Sequence, residues 1–136
     1  MKISTKSRCG MRILMDLASN TDKEPVQVGE ISKRQNISVK YLEQLIRPLQ
    51  KAQLITSVRG PKGGHMLARK PQHISFGESI RVLEVHKDAD GCFCHEEECN
   101  MMDFCLLNLA WQRAMESFYE ILDGTTIADL AKESCK

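Results

Sequence analysis

Apolar residues along this chain recur mostly at steps of three and four, broken once by a short β-prone stretch. Met11, Leu14, Met15 and Ala18 share one helical face, which predicts a first helix from about Thr5 to Ser19. Residues 20–25 are polar and end in Pro25, a loop signal. A short helix from about Gly29 to Gln35 follows. Asn36-Ile37-Ser38 reads as a tight turn, with Ser38 as N-cap of a third helix. On that helix Leu42, Leu45, Ile46 and Leu49 form one stripe, and Lys40, Glu43, Gln44 and Arg47 form the opposite one. Pro48 lacks a backbone donor and is expected to bend or shorten the helix.

Residues Leu54 to Val58 are β-prone, and His65 to Ala68 can pair with them. Between them Arg59-Gly60-Pro61-Lys62-Gly63-Gly64 is a turn-forming run with two cations. Ser75 with Glu78 has the spacing of a capping box and opens a short helix to about Val85. His86 to Asn100 shows little periodicity and much charge, so it reads as a loop. A long helix is predicted from about Asp103 to Leu122. Its residues Leu107, Trp111, Ala114, Phe118 and Ile121 form a heptad-like seam ~30 Å long. Thr126 and Asp129 are spaced to cap a last short helix.

The fold class implied is mainly α with a small β-wing: a winged helix-turn-helix followed by a long dimerisation helix. Residues 1–85 form the winged region, 86–102 a cysteine-rich sensor loop, and 103–136 the dimerisation helix with the last short helix. The seam presents Trp111 and Phe118, large apolar groups that one 136-residue domain cannot easily cover. A homodimer is therefore expected.

Composition narrows the class. With 42% hydrophobic residues the chain is not disordered. No apolar run approaches ~20 residues, so no membrane span is expected. The N-terminus interleaves charged and apolar residues at helical spacing, unlike a signal peptide, and the chain reads as cytoplasmic. The net charge of +1 conceals an asymmetry. Residues 1–75 hold 14 Lys and Arg against 5 Asp and Glu, a balance of +9, while residues 76–136 hold 5 against 13, or −8. A polyanion partner for the first half follows.

That partner is double-stranded DNA. A helix fits the major groove, where Gln44 can pair with adenine, Glu43 can accept from cytosine, and Lys40 can reach guanine or phosphate. Glycines at the hairpin tip let the backbone approach DNA, and Arg59 can enter a narrow minor groove of negative potential. Taken alone, the polar face of the third helix reads more readily as solvated surface. The preceding helix, the basic hairpin and the charge of the first half decide for DNA.

The stretch GEISKRQNISVKYLEQLIRPLQKAQLITSVRGPKGGHMLARKPQHISFGESI resembles the Rrf-two family of bacterial regulators, which has IscR-, NsrR-, RirA- and CymR-like branches. STKSRCGMRILMDLA and ILDGTTIADL fit as well, so the resemblance covers nearly the whole chain. It implies homodimers with a winged motif and a dimer contact along the long helix. It also implies recognition-helix positions Ser38, Lys40, Tyr41, Glu43 and Gln44, and wing positions Arg59, Gly60, Pro61 and Gly64. His65 stands where an aromatic residue is common. Tyr41, beside Leu42, has a competing reading as a packing residue under the helix.

Six cysteines are many for a cytosolic chain, and Cys92, Cys94, Cys99 and Cys105 lie close together. Without a secretory signal such clustering reads as metal binding or redox sensing. The resemblance implies three cysteine ligands to an iron–sulfur cluster, [2Fe-2S] or [4Fe-4S], the last two separated by five residues. Cys99 and Cys105 have that spacing, and either Cys92 or Cys94 supplies the first ligand. The fourth position is open. The IscR-like branch has a histidine where Asn108 stands, and the NsrR-like branch an aspartate where Arg8 stands. All four loop cysteines, His95, one of Glu96, Glu97 and Glu98, or a small molecule are the alternatives. A zinc site, a metal-free thiol switch and a regulator that docks a metabolic enzyme are the competing functions. An enzyme is not expected, because the chain has neither a C-x-x-C pair nor an acid–base constellation.

Overall fold

The computed structural model describes residues 3–20, 24–84 and 105–134. The sensor-loop positions Cys92, Cys94, His95, Glu96, Glu97, Glu98 and Cys99 lie outside the described residues. The element order is α1 (Thr5–Ala18), α2 (Val28–Gln35), α3 (Val39–Lys51), β1 (Ile55–Val58), β2 (Gly64–Leu67), a 3-10 turn (Pro71–His73), α4 (Phe76–Leu83), α5 (Leu106–Asp123) and α6 (Ile127–Ser134). The expected fold class is the one observed: a mainly helical chain with a two-stranded antiparallel wing.

Local chemistry sets most boundaries. Ser4 caps α1, its Oγ accepting from the Ser7 amide at 3.1 Å. At the end of α2, Asn36 adopts a left-handed conformation (φ 51°), which turns the chain sharply into α3. Ser38 then caps α3, accepting from the Tyr41 amide at 3.3 Å. Pro48 does not shorten α3, which continues to Lys51. One missing hydrogen bond near the helix end is offset by full burial of Leu42, Leu45, Ile46 and Leu49 on its apolar stripe.

The core lies where α1, α2, α3 and α4 meet beneath the wing. α1 buries Met11, Ile13, Leu14 and Leu17, a wider arc than its expected stripe, because α2, α3, α4, α6 and β2 all pack on it. Met15 and Ala18, counted in that stripe, are only half-buried. Ile74, Ile80, Leu83 and Ile127 complete the core. Ile127, at the start of α6, has no exposed surface, so the C-terminal helix is built into the same core as the winged motif.

The capping box at Ser75 forms by half. Its Oγ accepts from the Glu78 amide at 3.0 Å, but Glu78 Oε1 turns to Arg69 Nη2 at 2.7 Å instead of returning to the cap. α4 spans Phe76–Leu83 with Glu84 as its C-cap, and the expected end near Val85 lies outside the described residues. The Thr126–Asp129 cap is complete: Thr126 N donates to Asp129 Oδ2 at 3.0 Å, and Asp129 N donates to Thr126 Oγ1 at 3.2 Å.

Candidate functional site

α3 has its two faces sharply divided. Lys40, Glu43, Gln44 and Arg47 are exposed on one side, opposite the buried leucine and isoleucine stripe. Tyr41 is half-buried and packs against the core, so its expected place on the exposed face is shared with a packing role. Ser38 is exposed, but its hydroxyl is engaged in capping.

α2 is locked behind α3 by one buried carboxylate. Asp16 on α1 accepts from Arg34 Nε at 2.9 Å and Nη2 at 2.7 Å, and from Gln35 Nε2 at 3.0 Å. Arg12 Nε in turn donates to Gln35 Oε1 at 3.1 Å. The bidentate bond to Asp16 raises the Arg34 pKa further above its ordinary value. This cluster ties the first helix of the helix-turn-helix to α1, and so fixes the platform from which α3 projects.

The wing pairs Ile55 with Leu67, Thr56 with Met66, Ser57 with His65 and Val58 with Gly64. Its tip, Arg59-Gly60-Pro61-Lys62, is exposed, and the Gly63 amide donates to the Gly60 carbonyl at 2.9 Å to close the turn. Gly60 has φ 114°, a conformation open to few other residues. Gly64 is required for a different reason. A Cβ there would come 2.4 Å from the carbonyl oxygen of Val26, whose backbone pairs with His65 alongside β2. The expected wing position Gly64 is thus explained inside the fold, by the close approach of the 25–27 segment.

A contact between α3 and the wing emerges only from the register. Ser57 Oγ lies 2.9 Å from His65 Nδ1 and accepts from Gln50 Nε2 on α3. Burial lowers the His65 pKa, and the carboxylate of Glu43 opposes that shift. Neither Ser57 nor Gln50 carries a recognisable motif. Their meeting follows from Ser57 facing His65 across the hairpin, which propensity alone does not reveal.

The second candidate site begins at Cys105, the N-cap of α5. Its thiol is free and half-buried, and makes no capping hydrogen bond. Three residues on, Asn108 Oδ1 is buried with no hydrogen-bond partner among the described residues. Cys9 is the other free thiol among the described residues; it lies on α1 and packs against the core. Among the described residues no group of three or more Cys, His, Asp or Glu comes together to hold a metal ion. Cys105 is the only one of the four expected ligands that falls within them.

α5 exposes much of its length. Leu106, Leu107, Leu109 and Ile121 are exposed apolar residues, and Leu107, Ala110, Trp111 and Ala114 line a shallow apolar hollow of about 280 Å³. The expected seam divides at Phe118, which is half-buried and packs edge-to-face on Tyr119, with ring centroids 5.4 Å apart. At its far end α5 is anchored to α4. Arg81 clamps Asp123 with bonds of 2.9 and 2.6 Å and lies 4.3 Å above the Tyr119 ring, and Ser75 Oγ donates to Asp123 Oδ1 at 3.1 Å. These bonds hold the Asp123 carboxyl below its usual range, the Arg81 bond contributing most. No helix among the described residues is long and apolar enough to cross a membrane.

A family model described as Rrf2, iron-dependent transcriptional regulator, matches residues 3–133. Protein rrf2 of Nitratidesulfovibrio vulgaris is 40% identical over 134 residues, which span 98% of this chain and 89% of that protein. The solved structure of T. potens IscR is similar with a TM-score of 0.78 at 40% identity, over 98% of this chain and 88% of that one. The structure of CymR, the global cysteine regulator of B. subtilis, gives a TM-score of 0.77 at 37% identity, over 98% of both chains.

Proposed function

This chain belongs to the Rrf2 family, and from that premise we propose that it binds its operator as a homodimer under the control of an iron–sulfur cluster. Its coarser function is a property of the family: it is a DNA-binding transcription regulator with a winged helix. The finer reading assigns Lys40, Glu43, Gln44, with Ser38 and Tyr41 beside them, to the major groove. It assigns the wing tip Arg59, Gly60 and Pro61, supported by Gly64, to the adjacent minor groove. It is a regulator and not an enzyme, and it works in the cytoplasm, where thiols stay reduced.

Cys105 is the observation that carries the cluster reading. It is a free, half-buried thiol at the N-cap of an 18-residue helix, with no capping hydrogen bond to occupy its sulfur. The donor set fits the group, since cysteine thiolates are the usual ligands of iron–sulfur clusters. Cys99 and Cys105 would hold it together with Cys92 or Cys94. The fourth position falls to the other loop cysteine, His95, one of Glu96 to Glu98, or a small molecule. The buried, unpartnered Asn108 Oδ1 adds a polar group one turn from Cys105.

When bound, a cluster supplies a centre sensitive to iron and oxidation state. The protein's own part is to transmit the state of Cys105. That residue opens α5, the Asp123–Arg81 clamp ties α5 to α4, and α4 packs on both α1 and α3. A signal shifts DNA affinity only as far as it favours one arrangement of these helices over another.

The test is the visible absorption spectrum with iron and sulfide content after anaerobic purification, beside operator binding before and after removal of the metal. Coloured, iron-containing protein whose operator affinity changes on stripping is expected. Colourless protein that binds DNA equally well would overturn the cluster reading. It would favour a metal-free regulator, the alternative suggested by the full-length likeness to CymR. Zinc without sulfide would identify the third reading.

A further inference from the structure

Val39 is the first residue of α3, directly after the N-cap Ser38. It is 40% exposed and contributes nothing to the core, which draws Leu42, Leu45, Ile46 and Leu49 from this helix. A β-branched residue brings no helical advantage there. A lone exposed valine is unremarkable on an ordinary surface. This one stands at the end of the helix whose N-terminal residues meet base edges in a helix-turn-helix. It lies one turn before Glu43, about 40° from it around the helix axis, and its sequence neighbours Ser38 and Lys40 are polar and exposed.

The floor of the major groove is polar apart from one group, the C5-methyl of thymine. We propose that Val39 reads a thymine methyl, making it a specificity-determining residue of α3. Each half-site then carries an A·T pair, thymine facing the start of α3, beside the pair reached by Glu43. The cap on the Tyr41 amide holds the first turn in place, so the valine methyls are presented without further ordering of the backbone. The inference rests on α3 being the reading helix.

The experiment uses the full-length protein and a duplex selected by it from a random pool. Each thymine of one half-site is replaced singly by deoxyuridine, which deletes only the methyl. Affinities are measured for the parent, Val39→Ala and Val39→Thr. One thymine is expected at which deoxyuridine weakens the parent by about fourfold, the ratio given by burial of one methyl-sized group. At the same position Val39→Ala should be indifferent to the change, and Val39→Thr, which keeps one γ-methyl, should lose an intermediate amount. A purely structural role for Val39 would lower affinity for all duplexes alike and leave the thymine-to-uracil ratio unmoved. That result, or a parent indifferent to deoxyuridine at every position, overturns the proposal. If discrimination is found but is lost on substituting a residue outside α3 and kept in Val39→Ala, α3 is not the reading helix and the interface reading falls with the proposal.

Discussion

Leu107→Ala on α5 is expected to weaken self-association without unfolding the protomer. In the single chain Leu107 is 72% exposed, beside Trp111 and the hollow it lines, so truncating it there removes little packing. In a dimer formed along this face the same side chain is buried. Full burial of a leucine stabilises by about 1.5–3 kcal/mol. The exposed share makes about 1–2 kcal/mol of that available to association, and two-fold symmetry counts it twice, giving about 2–4 kcal/mol. The dimer dissociation constant should therefore rise about 30- to 1,000-fold. The comparison is between two variants of one interface, so the large entropic cost of association is common to both and cancels. Sedimentation equilibrium across a dilution series reads the constant, and far-ultraviolet circular dichroism checks the fold. An unchanged dimer in the variant, or a monomeric parent at all concentrations, would refute the assignment of this face.

Other expectations bear on the wing, the cysteines and the anchor of α5. Arg59→Ala should weaken operator binding most where the flanks are A·T-rich, because a narrow minor groove attracts arginine; titration of duplexes differing only in their flanks measures this. Cys99→Ala and Cys105→Ala should each abolish visible colour and bound iron, while Cys92→Ala and Cys94→Ala each retain part, since two residues more or less in a loop cost little closure entropy; metal analysis of the four variants decides. Asp123→Asn should cost less than about 1 kcal/mol near neutral pH, as expected of a largely exposed ion pair. Because the Arg81 and Ser75 bonds lower the Asp123 pKa, the carboxylate's contribution is complete above the ordinary aspartate range and is lost as pH falls through the lowered value. Urea titrations should therefore show parent and variant converging in acid; a gap that widens there contradicts the anchor.

Much of the winged helix-turn-helix is legible in the sequence. The two stripes of α3 fall where the helical period puts them, because both faces are set by residues within two turns of each other. The tight turn at Asn36, the Ser38 cap and the Thr126–Asp129 cap are readable for the same reason, since each is set by groups at most three or four residues apart, whereas the left-handed conformation of Asn36 is seen only in the structure. Pro48 shows where local reasoning is incomplete, since the helix runs past it to Lys51. The penalty it carries is local, but the burial of Leu45, Ile46 and Leu49 that outweighs it comes from other elements. Cys105 is named by the clustering of the cysteines together with the family resemblance, and its position at the N-cap of α5 follows from the helix beginning at Leu106.

The sequence by itself determined the helix-turn-helix, the hairpin and its basic tip, and the membership signalled by ISVKYLEQL and VRGPKGG, all carried by neighbouring residues. Tertiary structure alone decided which of several available partners each long-range group would take. Glu78 chose Arg69 over its own cap, Asp16 gathered Arg34 and Gln35 from α2, and Gly64 made room for Val26. Ile127 closed the core from the far end of the chain, its amide bonding to the Ile74 carbonyl at 2.9 Å. The physical reason is common to all four. Periodicity and caps act within a turn of helix, whereas these contacts join groups 9 to more than 50 residues apart, and their competition is settled only when packing brings the elements together.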